Sequence, residues 1–230
     1  MSTHRALLLG ATGLIGQHLL QRLLTDPHWS EVQVITRRPI ATEHEKLHKI
    51  VLPLTQMASR PALFAVDTVF CCLGTTLRAA GSRAAFRQVD FDFCVQAAEL
   101  ARAQGVNHFL LVSAVNARAT SPVFYSRVKG EAEAAIVSLD FPSLSIVQPS
   151  LLLGQRDTRR PGEQVAGLLF QAVRPLAGWS NASWLPVEAA QVADAMAVAG
   201  RAPQPGTRRL RYRDLKTLAA RIDEQPRKPV

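Results

Sequence analysis

The chain has 230 residues, 47% of them hydrophobic, with a formal net charge of +9. This length suits one domain with a modest appendage and supplies ample apolar material for a core. No apolar run is long enough to span a bilayer, and Arg5 before a short, glycine-broken run does not make a signal peptide, so no membrane partner is expected.

Leu7, Leu8 and Leu9 form an unbroken apolar run, as expected of a strand covered on both faces. It ends in Gly10-Ala11-Thr12-Gly13-Leu14-Ile15-Gly16. A helix is predicted over 14–24, with Ile15, Leu19, Leu20, Leu23 and Leu24 in one stripe, stopped by Asp26-Pro27. Strand, glycine turn and helix in that order leave unpaired N–H groups and partial positive charge at the helix start, a place for a phosphate. Gly10 permits the turn, Gly13 lets a dinucleotide diphosphate approach the backbone, and Gly16 lets the helix lie close to the strand. Thr12, Leu14 and Ile15 complete this candidate cofactor loop.

A second strand is predicted over 32–35, leaving through Thr36 into Arg37 and Arg38. NAD-binding chains usually place an acid there for the ribose hydroxyl, whereas two guanidinium groups suit an additional phosphate. NADP(H) is therefore expected before NAD(H). His44-Glu45-Lys46-Leu47-His48 spells a zinc-peptidase pattern, but Pro39 and Pro53 leave little room for the long helix that this chemistry needs, so no metal is expected.

Strands follow over 50–52 and 68–73. The second ends at Leu73-Gly74-Thr75-Thr76, a turn placed where parallel sheets bind ligands. Ser82 is suited to cap a helix reaching residue 103, closed by Gly105. A fifth strand over 109–113 ends at Ser113. Ser121-Pro122 is predicted to open a helix carrying Tyr125 and Lys129 on one face. An ammonium there stabilises the phenolate and lowers the tyrosine pKa, and Lys129 can reach a ribose hydroxyl. Ser113 can bond a substrate carbonyl or alcohol from the same crevice.

A sixth strand over 144–147 leads to Pro149, Leu151, Leu152, Leu153 and Gly154. The arginine-rich segment 156–163 either clamps substrate or cofactor phosphate or is a charged surface loop. Helices are predicted over 162–173 and 189–199, a last strand over 208–212, and a disordered tail after 224. Nine Lys/Arg against three Asp/Glu from residue 201 onward hold most of the net charge. With only Tyr212 interleaved this reads as a solvated element, and nucleic acid is not expected as a partner. Cys71, Cys72 and Cys94 lack metal spacing. The adjacent pair should point to opposite strand faces, and the expected setting is reduced and cytoplasmic.

Gly10-x-x-Gly13-x-x-Gly16, Ser113 and Tyr125-x-x-x-Lys129 together resemble the short-chain dehydrogenase/reductase superfamily. Phe70-Cys71-Cys72-Leu73-Gly74-Thr75-Thr76, Val128-Lys129-Gly130-Glu131 and Arg159-Arg160-Pro161-Gly162-Glu163 resemble its atypical, Tat-interacting-protein-like branch, over the chain's start to about residue 199. The resemblance implies an α/β fold, a doubly wound parallel sheet of Rossmann type with a small C-terminal substrate-covering portion. It implies one NAD(P)-binding domain over 1–224, with 150–215 on the substrate side and a basic tail over 225–230. NADPH would lie in the crevice, against Pro149 among others, with Tyr125 as proton donor, Lys129 as its partner and Ser113 as orienter. Two stretches depart from the superfamily. Leu52-Pro53-Leu54 offers no acid for the adenine, and Val89-Asp90-Phe91-Asp92 stands where many members use an asparagine. The expected function is reduction of a small carbonyl substrate, by a chain for which a homodimer is allowed. The alternatives are a non-catalytic NADP(H) sensor and an enzyme like the nucleotide-sugar epimerases and dehydratases.

Overall fold

In β1 (His4–Leu9), Ala6 and Leu8 join one apolar layer while Leu7 and Leu9 join the other. Both faces of the strand are covered, which is why the run carries no polar alternation. The computed structural model describes residues 4–150, 152–153 and 185–222. β1 pairs in parallel with β2 (Trp29–Thr36) and β4 (Thr68–Cys71). The sheet continues through β3 (Leu47–Val51) on one side, and through β5 (His108–Val112), β6 (Ser143–Val147) and β9 (Gly206–Leu210) on the other. Its order is β3-β2-β1-β4-β5-β6-β9, all parallel, so the chain reverses direction across the sheet between β1 and β4. The short strands β7 (Leu152–Leu153) and β8 (Val187–Glu188) pair apart from it. This is the expected doubly wound α/β fold of Rossmann type.

One layer packs α1 (Leu14–Thr25) and α6 (Ala189–Arg201) on the sheet. Leu19 and Leu23 of α1 are fully buried there, worth about 2 kcal/mol each by area. Gly200 lets α6 lie close, since a Cβ there would stand 2.4 Å from the Phe70 ring. The other layer contains α4 (Phe93–Ala103) and α5 (Phe124–Val137). Cys71 faces this second layer and Cys72 the first, as adjacent strand residues must.

Several elements differ from expectation. The third strand begins at Leu47, so the His44-to-His48 pattern straddles a turn and a strand instead of one helix face. Two 3₁₀ turns, Leu54–Ser59 and Pro61–Phe64, connect β3 to β4, where Pro53 and Pro61 interrupt any longer helical run. Thr76 caps a short α2 (Leu77–Ala80), and Ser82 caps α3 (Arg83–Arg87). A π-helical stretch, Gln88–Asp92, separates α3 from α4, and Gly105, with φ of 76°, turns the chain away just past the end of α4. α5 starts after Val123, two residues beyond the expected Ser121-Pro122 opening. Beyond β9, Asp214 accepts from the Arg211 N–H at 2.9 Å and starts α7 (Tyr212–Ala220), so Tyr212 belongs to a helix and not to the last strand. The described part of the C-terminal region thus adds a strand and two helices to the main layers. The segment 156–163, the helix over 162–173 and the tail after 224 lie outside the described residues. No described helix is long and apolar enough to cross a membrane.

His108 on β5 is buried, with Nε2 3.0 Å from the Ser145 hydroxyl, and burial pushes its imidazole down to about 4. The unfolded chain therefore binds more protons than the folded one between about pH 4 and 6.5, and stability rises with pH across that window. The contribution is whole above about pH 6.5, and on the order of 3 kcal/mol is lost by pH 4. Denaturant midpoints from pH 7 to 4.5 should fall less steeply in His108→Gln than in the natural chain; equal slopes would contradict this.

Candidate active site

The crevice of a doubly wound sheet opens outside its C-terminal edge, at the switch between β1 and β4. The backbone there is too crowded for side chains. Gly10 has φ of 81°, and a Cβ on it would lie 2.4 Å from the Cys72 carbonyl oxygen. A Cβ on Gly16 would lie 2.1 Å from the Gly10 oxygen. Gly13 donates its N–H to Gly10 at 2.9 Å and stands at the N-cap of α1, where no side chain caps the helix and no acid occupies the first turn. An uncapped, acid-free helix start beside a glycine cradle fits a diphosphate. Ile15 is 5% exposed, so it can serve such a ligand only through its backbone, as can Leu14. Thr12 is exposed beside them.

Leu9 is in register with Ile35, so Arg37 and Arg38 leave β2 one strand away from the glycine turn, at the same edge. Both are exposed, and neither forms an ion pair with a carboxylate among the described residues. On the far side of β1, Leu73 is buried, Gly74 is exposed, and Thr76 is committed to capping α2 by accepting from Ala79 at 3.0 Å.

Tyr125, Lys129 and Glu133 occupy successive turns of α5. Gly130 lets the loop after β5 rest on this helix, since a Cβ there would be 2.2 Å from the Arg118 backbone. Tyr125 is 36% exposed, with its ring 5.5 Å from that of Phe86. Lys129 is buried. Its Nζ lies 2.7 Å from Asp90 Oδ1 and donates to the Val112 carbonyl at 3.5 Å. The other Asp90 oxygen accepts from the Thr75 N–H at 2.9 Å. A Cβ on Gly74 would come 3.4 Å from Asp90 Oδ1 and 3.6 Å from Lys129 Nζ, so the pair sits directly behind the turn after β4.

The electrostatics correct one expectation. Burial pushes the Tyr125 phenol above its ordinary pKa; Lys129 pulls it down, but Asp90 adds to the rise. Burial also opposes the Lys129 ammonium, yet Asp90 foremost among its neighbours holds it above the ordinary lysine range. Desolvation raises Asp90 against the pull of Lys129 and the Thr75 N–H. Lys129 thus spends its charge on Asp90 and does not bring Tyr125 down to a lowered pKa.

Ser113 follows β5 and is buried, its hydroxyl donating to Glu133 at 2.5 Å. No hydrogen bond joins it to Tyr125. Gln148 donates to both Glu133 oxygens at 2.9 and 3.1 Å and accepts from Arg211 at 3.1 Å. Pro149 is buried, and its carbonyl accepts from the Val115 N–H at 2.9 Å, tying the loops after β5 and β6 together. Sequence reasoning missed Glu133 and Gln148. The Lys129-x-x-x-Glu133 spacing, which prolongs the Tyr125 face by one turn, was the available signal.

A family model described as NAD(P)H-binding matches residues 10–159. Protein HTATIP2 of Rattus norvegicus is 36% identical over 191 residues, covering 81% of this chain and 78% of that one. Mitochondrial protein fmp-52 of Neurospora crassa is 38% identical over 182 residues, covering 75% and 74%. Mitochondrial FMP52 of Coccidioides immitis is 32% identical over 217 residues, covering 87% of each. The expected cytoplasmic setting is overturned by the fmp-52 and FMP52 relatives, which are named as mitochondrial; free thiols report a reducing medium and not an address. Among solved structures, MoeE5 in complex with UDP-glucose and NAD superposes with a TM-score of 0.69 at 16% identity, over 96% of this chain and 82% of that one. UDP-glucose 4-epimerase of Thermotoga maritima gives 0.68 at 14%, over 98% and 84%. These likenesses show the fold. The glycine cradle, the family match and the relatives agree, and the chain belongs to the NAD(P)H-binding family, alongside the HTATIP2 and FMP52 proteins.

Proposed function

We propose that the chain is an NADP(H)-dependent oxidoreductase that reduces a small carbonyl substrate with Tyr125 as proton donor. The observation that carries this reading is the half-exposed Tyr125 one helical turn from buried Lys129, which lies directly behind the Gly74 turn of the crevice. When bound, the nicotinamide dinucleotide supplies the hydride for the carbonyl carbon. The N–H groups at the start of α1 hold the diphosphate, and Arg37 and Arg38 take the additional phosphate. Tyr125 gives its phenolic proton to the substrate oxygen as that oxygen gains charge, and water at the exposed ring edge restores the proton. Lys129 lies one turn below the phenol, paired with Asp90. Ser113 gives its hydroxyl hydrogen to Glu133, which Gln148 keeps in place, so the Ser113 oxygen accepts only from the alcohol product and not from the carbonyl substrate.

Oxidation of NADPH across a carbonyl panel should find a substrate, and Tyr125→Phe should lower kcat about 100-fold or more on it; equal turnover removes the role, and tight NADPH binding without any turnover assigns a sensor instead. NADPH should raise the melting temperature more than NADH. Arg37→Glu should weaken NADPH by roughly 10- to 100-fold and leave NADH nearly unchanged, as expected for loss of a charged hydrogen bond to phosphate; unchanged NADPH affinity refutes the preference.

A further inference from the structure

A lysine one turn below a tyrosine ordinarily favours the phenolate, yet in this chain that lysine is already engaged. Lys129 Nζ stands 2.7 Å from Asp90 Oδ1, with side-chain exposures of 6% and 0%. The pair is held in place. Thr75 donates to the second Asp90 oxygen at 2.9 Å, the Val112 carbonyl accepts from Lys129 at 3.5 Å, and Asp90 is carried inward by the π-helical stretch Gln88–Asp92. We propose that Asp90 is a positioning residue: it takes up the Lys129 ammonium in a closed ion pair and leaves Tyr125 a neutral phenol, the form that gives a proton, throughout the working pH range. This rests on the reductase reading and specifies its direction. A phenol that stays protonated favours reduction of a carbonyl, whereas alcohol oxidation needs the phenolate as base.

The other charged groups around α5 do not replace the engaged cation. Arg87 of α3 pairs with Glu131. Arg127 donates to the Ser121 and Pro122 carbonyls, and Arg83 lies over the Phe124 ring at 5.2 Å. Glu133, one turn beyond Lys129, takes the Ser113 hydroxyl. Burial pushes the Cys72 thiol up to about 12, and a hydrogen bond with the Cys71 thiol, with burial second, pushes the Cys94 thiol well up, so both are neutral. Where the superfamily resemblance would put an asparagine amide, the carboxylate of Asp90 supplies the opposing charge.

The test is an ultraviolet titration of the phenolate in the full chain. The chain has two tyrosines, so the difference between the natural protein and Tyr125→Phe isolates Tyr125 from Tyr212. Tyr125 should titrate at or above about 10, the ordinary value. Asp90→Asn, which frees the ammonium, should increase its ionisation constant at least tenfold, while Asp90→Glu, which keeps the charge, should stay close to the natural protein. Reductase kcat should then fall with rising pH in Asp90→Asn through the new phenol pKa, and stay level there in the natural protein, a change of profile that loss of structure does not produce. A natural Tyr125 titrating below about 9, or Asp90→Asn leaving its titration unmoved, overturns the proposal. If Asp90→Asn does not fold, Asp90→Ser removes the same charge, and should neither fold, the value in the natural protein decides. If no carbonyl is reduced but the titration shifts as stated, the reductase reading fails and the charge assignment stands.

Discussion

The arrangement depends on backbone touching backbone at the end of β1. Gly10 lies against the Cys72 carbonyl, and Gly16 lies against Gly10, at distances that leave no volume for a Cβ on either glycine. The apolar layers on both faces of the sheet supply most of the burial, but they are tolerant of small shifts and do not by themselves fix a helix start to a strand end. These contacts do. They bring the exit of β1, the exit of β4 and the first turn of α1 into one place, with the helix N–H groups turned toward the crevice instead of into a side-chain cap. Gly130 repeats the device on the other side of the crevice, where the loop after β5 rests on α5. The site is therefore framed by two close approaches, and its chemistry is set by the side chains that project between them.

Those side chains include buried charges, which a low-dielectric interior tolerates only when they are matched. The fold matches them at both ends of the sheet. At the N-terminal end, Asp26 meets Arg201 at 3.0 Å, joining the end of α1 to the end of α6. At the C-terminal end, Asp90 meets Lys129 and Glu133 receives Ser113 and Gln148. The first pair ties two helices of one layer together far from the crevice. The second and third lie within one or two turns of Tyr125, where a small change in charge balance alters which proton moves. The same physics serves architecture at one end and reactivity at the other, and only distance from the crevice separates the roles.

Much of this was legible in the sequence because it was local. The strand–glycine–helix order, the alternation of apolar runs with helical stripes, the Ser82 cap and the Gly105 stop are each written in a few adjacent residues. The boundaries that shifted did so where a distant partner intervened. β3 began earlier because its backbone pairs with β2, and α5 began later because Ser121 and Pro122 give their carbonyls to Arg127. Asp90 lay in a stretch singled out only as a departure from a pattern. Its role was hidden because a π turn breaks the 3.6-residue register from which a helix face is read. Glu133 and Gln148 were missed for a different reason: the spacing from Lys129 puts Glu133 on the Tyr125 face, but only the fold shows that it accepts from Ser113, 20 residues away, and from Gln148. The direction of the Tyr125 shift failed in the same way, since spacing gave Lys129 as a neighbour but not the acid that engages it.

The basic C-terminal region shows how charge counting misleads when partners are unknown. From residue 201 the chain carries nine Lys/Arg, the pattern that invites a search for an acidic ligand. Three of them meet partners within the fold instead. Arg201 is 9% exposed at Asp26, Arg209 stands 3.6 Å from Glu133, and Arg211 donates to Gln148. Arg209 lies on β9, and Arg211 follows it directly, so the seventh strand brings cations to the acid that holds the Ser113 hydroxyl. A strand added at the sheet edge could have completed the fold with any β-branched sequence. This one ends beside a buried carboxylate that accepts from Ser113 and Gln148, and the Arg209 guanidinium 3.6 Å away sets a positive charge against it. Part of the positive charge is thus a structural counterweight to the site.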